Sequence, residues 1–176
     1  MLRTLAFASL LLMTGWLSGC GYHAVGSASH LPASVRTLGV PVFKTNAQAF
    51  HTEFAFTKAV VRELNTRTRY QVVTAENQIE DSDAILSGTI LSQTSSPLTY
   101  DSSSGQTSSY LITITARVLL TAHDGRVLYR NDQLTFREQY QSTEDITSFL
   151  QEDGPAVQRV ARDFASTLVA DLLESF

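Results

Sequence analysis

Hydrophobic positions recur along this chain with two different spacings, and the spacing changes define its parts. Val35 to Phe43 is rich in β-branched residues and reads as a strand. Pro41 has no N–H to give a ladder, so that strand lies at an edge or is interrupted there. Thr52 reads as the cap of a helix running to about Thr68, with Phe56, Val60 and Leu64 at i, i+4 and i+8 and Val61 beside them. Arg67 and Arg69 stand near its C-terminal end, where the helix dipole favours cations. Tyr70 to Thr74 is a short strand, and the acidic stretch Glu76–Asp83 reads as a loop. Ala84 to about Gln93 follows as a strand.

The clearest strand is Ser109 to Ala122, in which Tyr110, Ile112, Ile114, Ala116, Val118 and Leu120 alternate with Thr113, Thr115, Arg117 and Thr121. Asp124-Gly125 is a two-residue hairpin signal, and Arg126 to Tyr140 returns. Val127 and Tyr129 share one parity while Leu134 and Phe136 have the other, which requires a bulge near Asn131-Asp132. The last element is a helix beginning at Gly154-Pro155 with Asp153 as cap. Its stripe is Val157, Val160, Ala161, Phe164, Ala165, Leu168 and Leu172, with Gln158, Arg159, Arg162 and Asp163 on the other side. The order predicts an α+β two-layer sandwich. Its sheet is mixed, mostly antiparallel and four- to five-stranded, and two helices pack on one face.

Residues Ser92–Ser109 fit neither period. Eight serines, Pro97 and Gly105 fall in this stretch. Two readings stand: a functional or mobile loop, or the frayed tip of a long hairpin joining two extended strands, with the second favoured.

The first twenty residues follow a third pattern. Arg3 precedes an apolar run from Leu5 to Trp16, and Leu17-Ser18-Gly19-Cys20 closes it. A basic start, a short apolar run and small residues describe a secretory signal. The run is too short for a membrane span of about 20 apolar residues. Leu-Ser-Gly-Cys resembles the lipobox of bacterial lipoproteins, in which the cysteine is acylated and becomes the new N-terminus. The expected organisation is a cleaved signal peptide over 1–19, a lipidated tether over 20–34 and one α+β domain over 35–176. Several acyl chains hold a protein on a bilayer where one does so only weakly. Gly21 rather than Asp after Cys20 makes the resemblance one to outer-membrane lipoproteins.

Composition narrows the function classes. The chain has 176 residues, 43% hydrophobic and 17% charged, within the ordinary globular range. Seventeen acidic against 13 basic residues give a net charge of −4, which argues against nucleic acid as the main partner. A single cysteine excludes an internal disulfide framework and a cysteine-rich zinc site. His23, His30, His51 and His123 have no metal-ligand spacing and read as solvated surface histidines. There is no G-x-S-x-G elbow and no glycine-rich phosphate loop. Gly88 lies within a strand pattern and reads as a site of close packing. Glu80, Asp81 and Asp83 lack calcium-loop spacing and read as an exposed acidic turn. The expectation is therefore a protein that is not an enzyme and needs no metal or cofactor.

What remains is a surface. One face of the sheet takes the helices; the other carries Thr113, Thr115, Arg117 and Thr121, with Arg130 and Arg137. Such a face suits a polar barrel lumen, or acidic phosphates bound through arginine. Cross-strand pairing with Glu138, or simple solvation, is the competing reading for each arginine. Lys58 and Arg62 read as solvated helix charges.

Several segments, in order, resemble the LptE family of lipopolysaccharide-assembly lipoproteins: Cys20-Gly21-Tyr22-His23, Leu31-Pro32, Leu38 to Phe43, and the Thr57–Leu64 helix. Asp83 to Ile90, Gly125 to Tyr129, Glu138-Gln139-Tyr140 and the ending Leu172 to Phe176 continue the resemblance. The resemblance implies an outer-membrane, lipid-anchored plug inside a large β-barrel partner of the LptD type. That role supports barrel assembly and delivery of lipopolysaccharide to the outer leaflet, with the membrane reached through the lipid on Cys20. It makes Arg117, Arg130 and Arg137 candidate contacts to lipopolysaccharide or barrel. The alternative reading is a non-enzymatic outer-membrane adaptor for a cell-wall synthase or secretion pore; a periplasmic hydrolase with a diffuse active site is the third.

Overall fold

Parallel strands must be joined by a crossover, and the first helix supplies one here. In the computed structural model, residues 32, 34–47, 51–100, 102, 107–141 and 146–174 are described. The signal segment, Cys20, His23, His30 and the expected tether up to residue 31 lie outside them. The chain runs β1 (Thr37–Gly39), β2 (Lys44–Thr45), α1 (Thr52–Arg67), β3 (Gln71–Val73), α2 (Glu76–Ile79), β4 (Ala84–Tyr100), β5 (Thr107–Ala122), β6 (Val127–Gln141) and α3 (Ile146–Glu174).

The strands form one mixed sheet in the order β3-β1-β4-β5-β6, with β2 also beside β4. β1 is parallel to β3 and β4, β2 is parallel to β4, and β4, β5 and β6 are antiparallel neighbours. The result is the expected two-layer α+β sandwich with six strands rather than four or five.

The extra strand arises at Pro41. Val40 donates its N–H to Val73 O at 2.8 Å, Pro41 has none to give, and the ladder resumes only at Lys44. Between them Phe43 N donates to the buried Thr57 Oγ1 at 2.9 Å. The stripe on α1 is as expected, since Phe56, Val60 and Leu64 are buried. Thr52 is not its cap. His51 holds that position at φ 59°, and the Thr52 hydroxyl instead donates to Gln93 Oε1 at 2.6 Å, tying α1 to β4.

The acidic stretch is not a plain loop either. Glu76–Ile79 forms a single helical turn, and buried Ile79 covers Gly39 on the face away from α1 and α3. Asp83 is not part of an exposed cluster. Its carboxylate accepts hydrogen bonds from Arg36 N, Thr37 N and Thr37 Oγ1 at 2.8–2.9 Å, fastening the start of β4 to β1. Those bonds, first the one from Thr37 N, hold its carboxyl below the usual range.

β4 and β5 pair from Ala84↔Ala122 to Tyr100↔Thr107, so the described parts of the serine-rich stretch, 92–100 and 107–109, are paired arms of a long hairpin. Hydroxyls bridge the strands there: Thr99 Oγ1 lies 2.7 Å from Ser108 Oγ and 2.6 Å from Ser109 Oγ. The β5–β6 turn has three residues, not two. Gly125 at φ 86° follows Asp124, Gly125 N donates to Ala122 O, and Ala122 N donates to Arg126 O. The expected bulge is present between Ala116↔Leu134 and Val118↔Asn131, and a second lies between Leu120↔Tyr129 and Thr121↔Val127.

α3 begins at Ile146, before the expected start, and continues through Pro155. Proline removes one helical hydrogen bond there but does not end the helix. Its stripe from Val157 to Leu172 is buried throughout, against α1 and the sheet.

Candidate functional site

Side-chain parity along β5 and β6 decides which residues share the uncovered face. Ile112, Ile114, Ala116, Val118 and Leu120 are buried beneath the helices. Thr113, Thr115, Arg117 and Thr121 therefore point the opposite way. On β6, Arg137 pairs with Thr113, Thr135 with Thr115 and Arg130 with Leu119. The bulges restore parity, so Arg117, Arg130 and Arg137 all stand on the open face, as expected from the sequence.

The structure does not leave the three arginines equivalent. Asp132, lifted by the bulge, accepts Arg130 Nε at 2.8 Å on Oδ2 and faces Arg117 Nε at 3.1 Å on Oδ1. The hydrogen bond from Arg130, then the charges of Arg130 and Arg117, hold the Asp132 carboxyl below its usual range. The same bond pushes Arg130 up. All three groups are about half exposed, so water screens the bridge. Arg137 has no ion-pair partner among the described residues.

Glu138 is not the partner of these arginines. It lies on the helix side of β6, opposite Ile112, and takes Arg159 of α3 at 2.5 Å. Around the arginines the face is mostly hydroxyl, and Thr115 Oγ1 and Thr135 Oγ1 bond across the strands at 3.0 Å. This arrangement offers polar contact and guanidinium groups with no nucleophile paired to a base. Among the described residues no group of histidine, cysteine, aspartate or glutamate has the geometry of a metal site. Among them, too, no helix is long and apolar enough to cross a membrane.

Two features were not visible in the sequence. Asp132 is one; its only signal was its place two residues after Arg130 at the bulge. The other lies on the opposite layer, where α1 and α3 leave a groove of about 610 Å³ lined by Phe54, Lys58, Val61, Arg62, Gln158 and Arg162, among others. Lys58 and Arg62, read as solvated charges, belong to that groove.

A family model described as LptE: Lipopolysaccharide-assembly matches residues 35–172. No curated protein matches the chain significantly. Among solved structures, a lipoprotein from Caulobacter crescentus CB15 is similar at TM-score 0.52 and 11% identity, over 75% of this chain and 88% of that one. A minor lipoprotein from Acinetobacter baumannii gives TM-score 0.51 and 12% identity, over 80% and 94%. Lipoprotein B from Nitrosomonas europaea gives 0.50 and 14%, over 80% and 83%. These likenesses establish a shared fold.

Proposed function

The chain belongs to the LptE lipopolysaccharide-assembly family, and from that premise we propose that it is a lipid-anchored wedge in a large outer-membrane β-barrel. There it supports assembly of the barrel and passage of lipopolysaccharide to the outer leaflet. The reading involves no bond made or broken in the substrate. Acylation of Cys20 holds the domain at the membrane, since more than one chain is needed for stable anchoring.

The observation that carries this reading is the open sheet face. Two long helices cover one side of β4–β6, while the other presents mainly hydroxyl and guanidinium groups, with Leu111 and Leu119 among them, over strands of 15 to 17 residues. The lumen of a large membrane barrel is polar, so that face matches it without burying unpaired groups. Of the three arginines on this face, Arg137 has no ion-pair partner among the described residues and is open to a phosphate or acidic side chain. Arg117 and Arg130 reach such a group only by sharing Asp132 with it or giving it up.

A photo-activatable residue at position 115, in the living envelope, tests the placement. The expected adduct joins this chain to an integral β-barrel protein of larger mass. Adducts to such a protein from position 167 on α3 but none from 115 would overturn the assignment of this face.

A further inference from the structure

We propose that the groove between α1 and α3 binds a phosphate-bearing acyl lipid, namely the lipid A part of lipopolysaccharide. The identity of the lipid rests on the functional reading above; the location of the site rests on the groove itself.

Lys58 and Arg62 stand one turn apart on α1, and like charges at that spacing repel. Packing of α3 against α1 brings Arg162 to the same groove. No acidic group or hydrogen-bond acceptor meets any of these three side chains among the described residues. Five arginines elsewhere are matched: Arg67 with Glu63, Arg117 and Arg130 with Asp132, Arg126 with Asp124, and Arg159 with Glu138. A chain of net charge −4 thus gathers three uncompensated cations at one place.

The surroundings select among anions. Phe54 is 51% exposed at the groove, with the His51 ring 5.7 Å from its own, and Val61 adds apolar wall beside it. A free phosphate has no use for that surface. A phosphate flanked by acyl chains does, because guanidinium and ammonium groups take the phosphate while the aromatic ring and the valine take the first methylenes. A volume of about 610 Å³ suits a headgroup with the start of its chains.

The test is equilibrium binding of purified full-length protein to lipid A in detergent micelles, beside dephosphorylated lipid A, with inorganic phosphate as competitor. K58Q/R62Q/R162Q should lose about tenfold or more in affinity for lipid A. Glutamine keeps the helix propensity of the residues it replaces. R162E, at an exposed position, is a second variant expected to fall in the same direction. K44Q/R69Q/R126Q removes equal charge elsewhere and should bind as the wild type does. The wild type should bind the dephosphorylated lipid no better than the groove variant binds lipid A. Unchanged affinity in both groove variants overturns the groove alone. Displacement of lipid A by equimolar inorganic phosphate also overturns it, in favour of a free-anion site. A wild-type chain that binds no lipid A overturns the lipopolysaccharide reading as well.

Discussion

Phe164→Ala is expected to cost about 3–5 kcal/mol, the range for emptying a large aromatic site in a closed core. Phe164 is fully buried, and its ring meets three others. The centroids lie at 4.8 Å to Phe56 of α1, 5.7 Å to Phe136 of β6 and 6.2 Å to Phe43 between β1 and β2, the last two edge-on. Each such pair adds roughly 0.5–1.5 kcal/mol beyond burial. The ring therefore joins α3 to the other helix, to the edge strand β6 and to the segment between β1 and β2. Total stability of a domain is about 5–15 kcal/mol, so this change removes a large fraction of it. Thermal unfolding followed by circular dichroism should show the midpoint lowered by roughly 10–15 °C. A loss under about 1 kcal/mol would place the centre of the core elsewhere.

The second large effect is expected at Gly88. A Cβ built there falls within the ring of Phe43, and Phe43 is itself 2% exposed and backed by Phe164. The ring has nowhere to go without displacing that contact. Gly88→Ala should therefore cost about 1–3 kcal/mol by overpacking, and Gly88→Val more. Because the cause is one neighbour, the effect should be non-additive. In a Phe43→Leu background Gly88→Ala should be markedly less damaging. Denaturant midpoints of the two single variants and the double variant check this. Simple additivity would mean that the glycine serves the strand backbone rather than the ring.

Those two residues show what a sequence pattern conveys. The 3.6-residue stripe of α3 and the alternation of β5 are long and uniform, so the buried set was legible residue by residue. The parity break in β6 located the bulge, and with it the common face of Arg117, Arg130 and Arg137. Gly88 in a strand signalled close approach, though not by which ring.

Other parts were hidden for physical reasons. Serine and threonine contribute no periodicity, so the sequence favours a long hairpin over a loop in this stretch without setting its register; the extension of β4 to Tyr100 with its hydroxyl bridges to β5 becomes visible only in three dimensions. Glu76–Ile79 is one turn long, too short for a repeat. Pro155 suggested a helix start because proline is best tolerated there, yet α3 runs through it. Asp132 joined two arginines because the bulge turned it toward them. The cationic groove depends on α1 meeting α3, a contact between residues about 100 positions apart, which neither helix records alone.

The central claim is that this domain acts by occupying a barrel and assisting lipopolysaccharide to the surface. Depletion of the protein in its own envelope, with surface lipopolysaccharide and the abundance of the folded barrel measured together, tests it most directly. The account predicts that both fall in step. Surface lipopolysaccharide and folded barrel that stay at their starting levels after the protein is gone would contradict it.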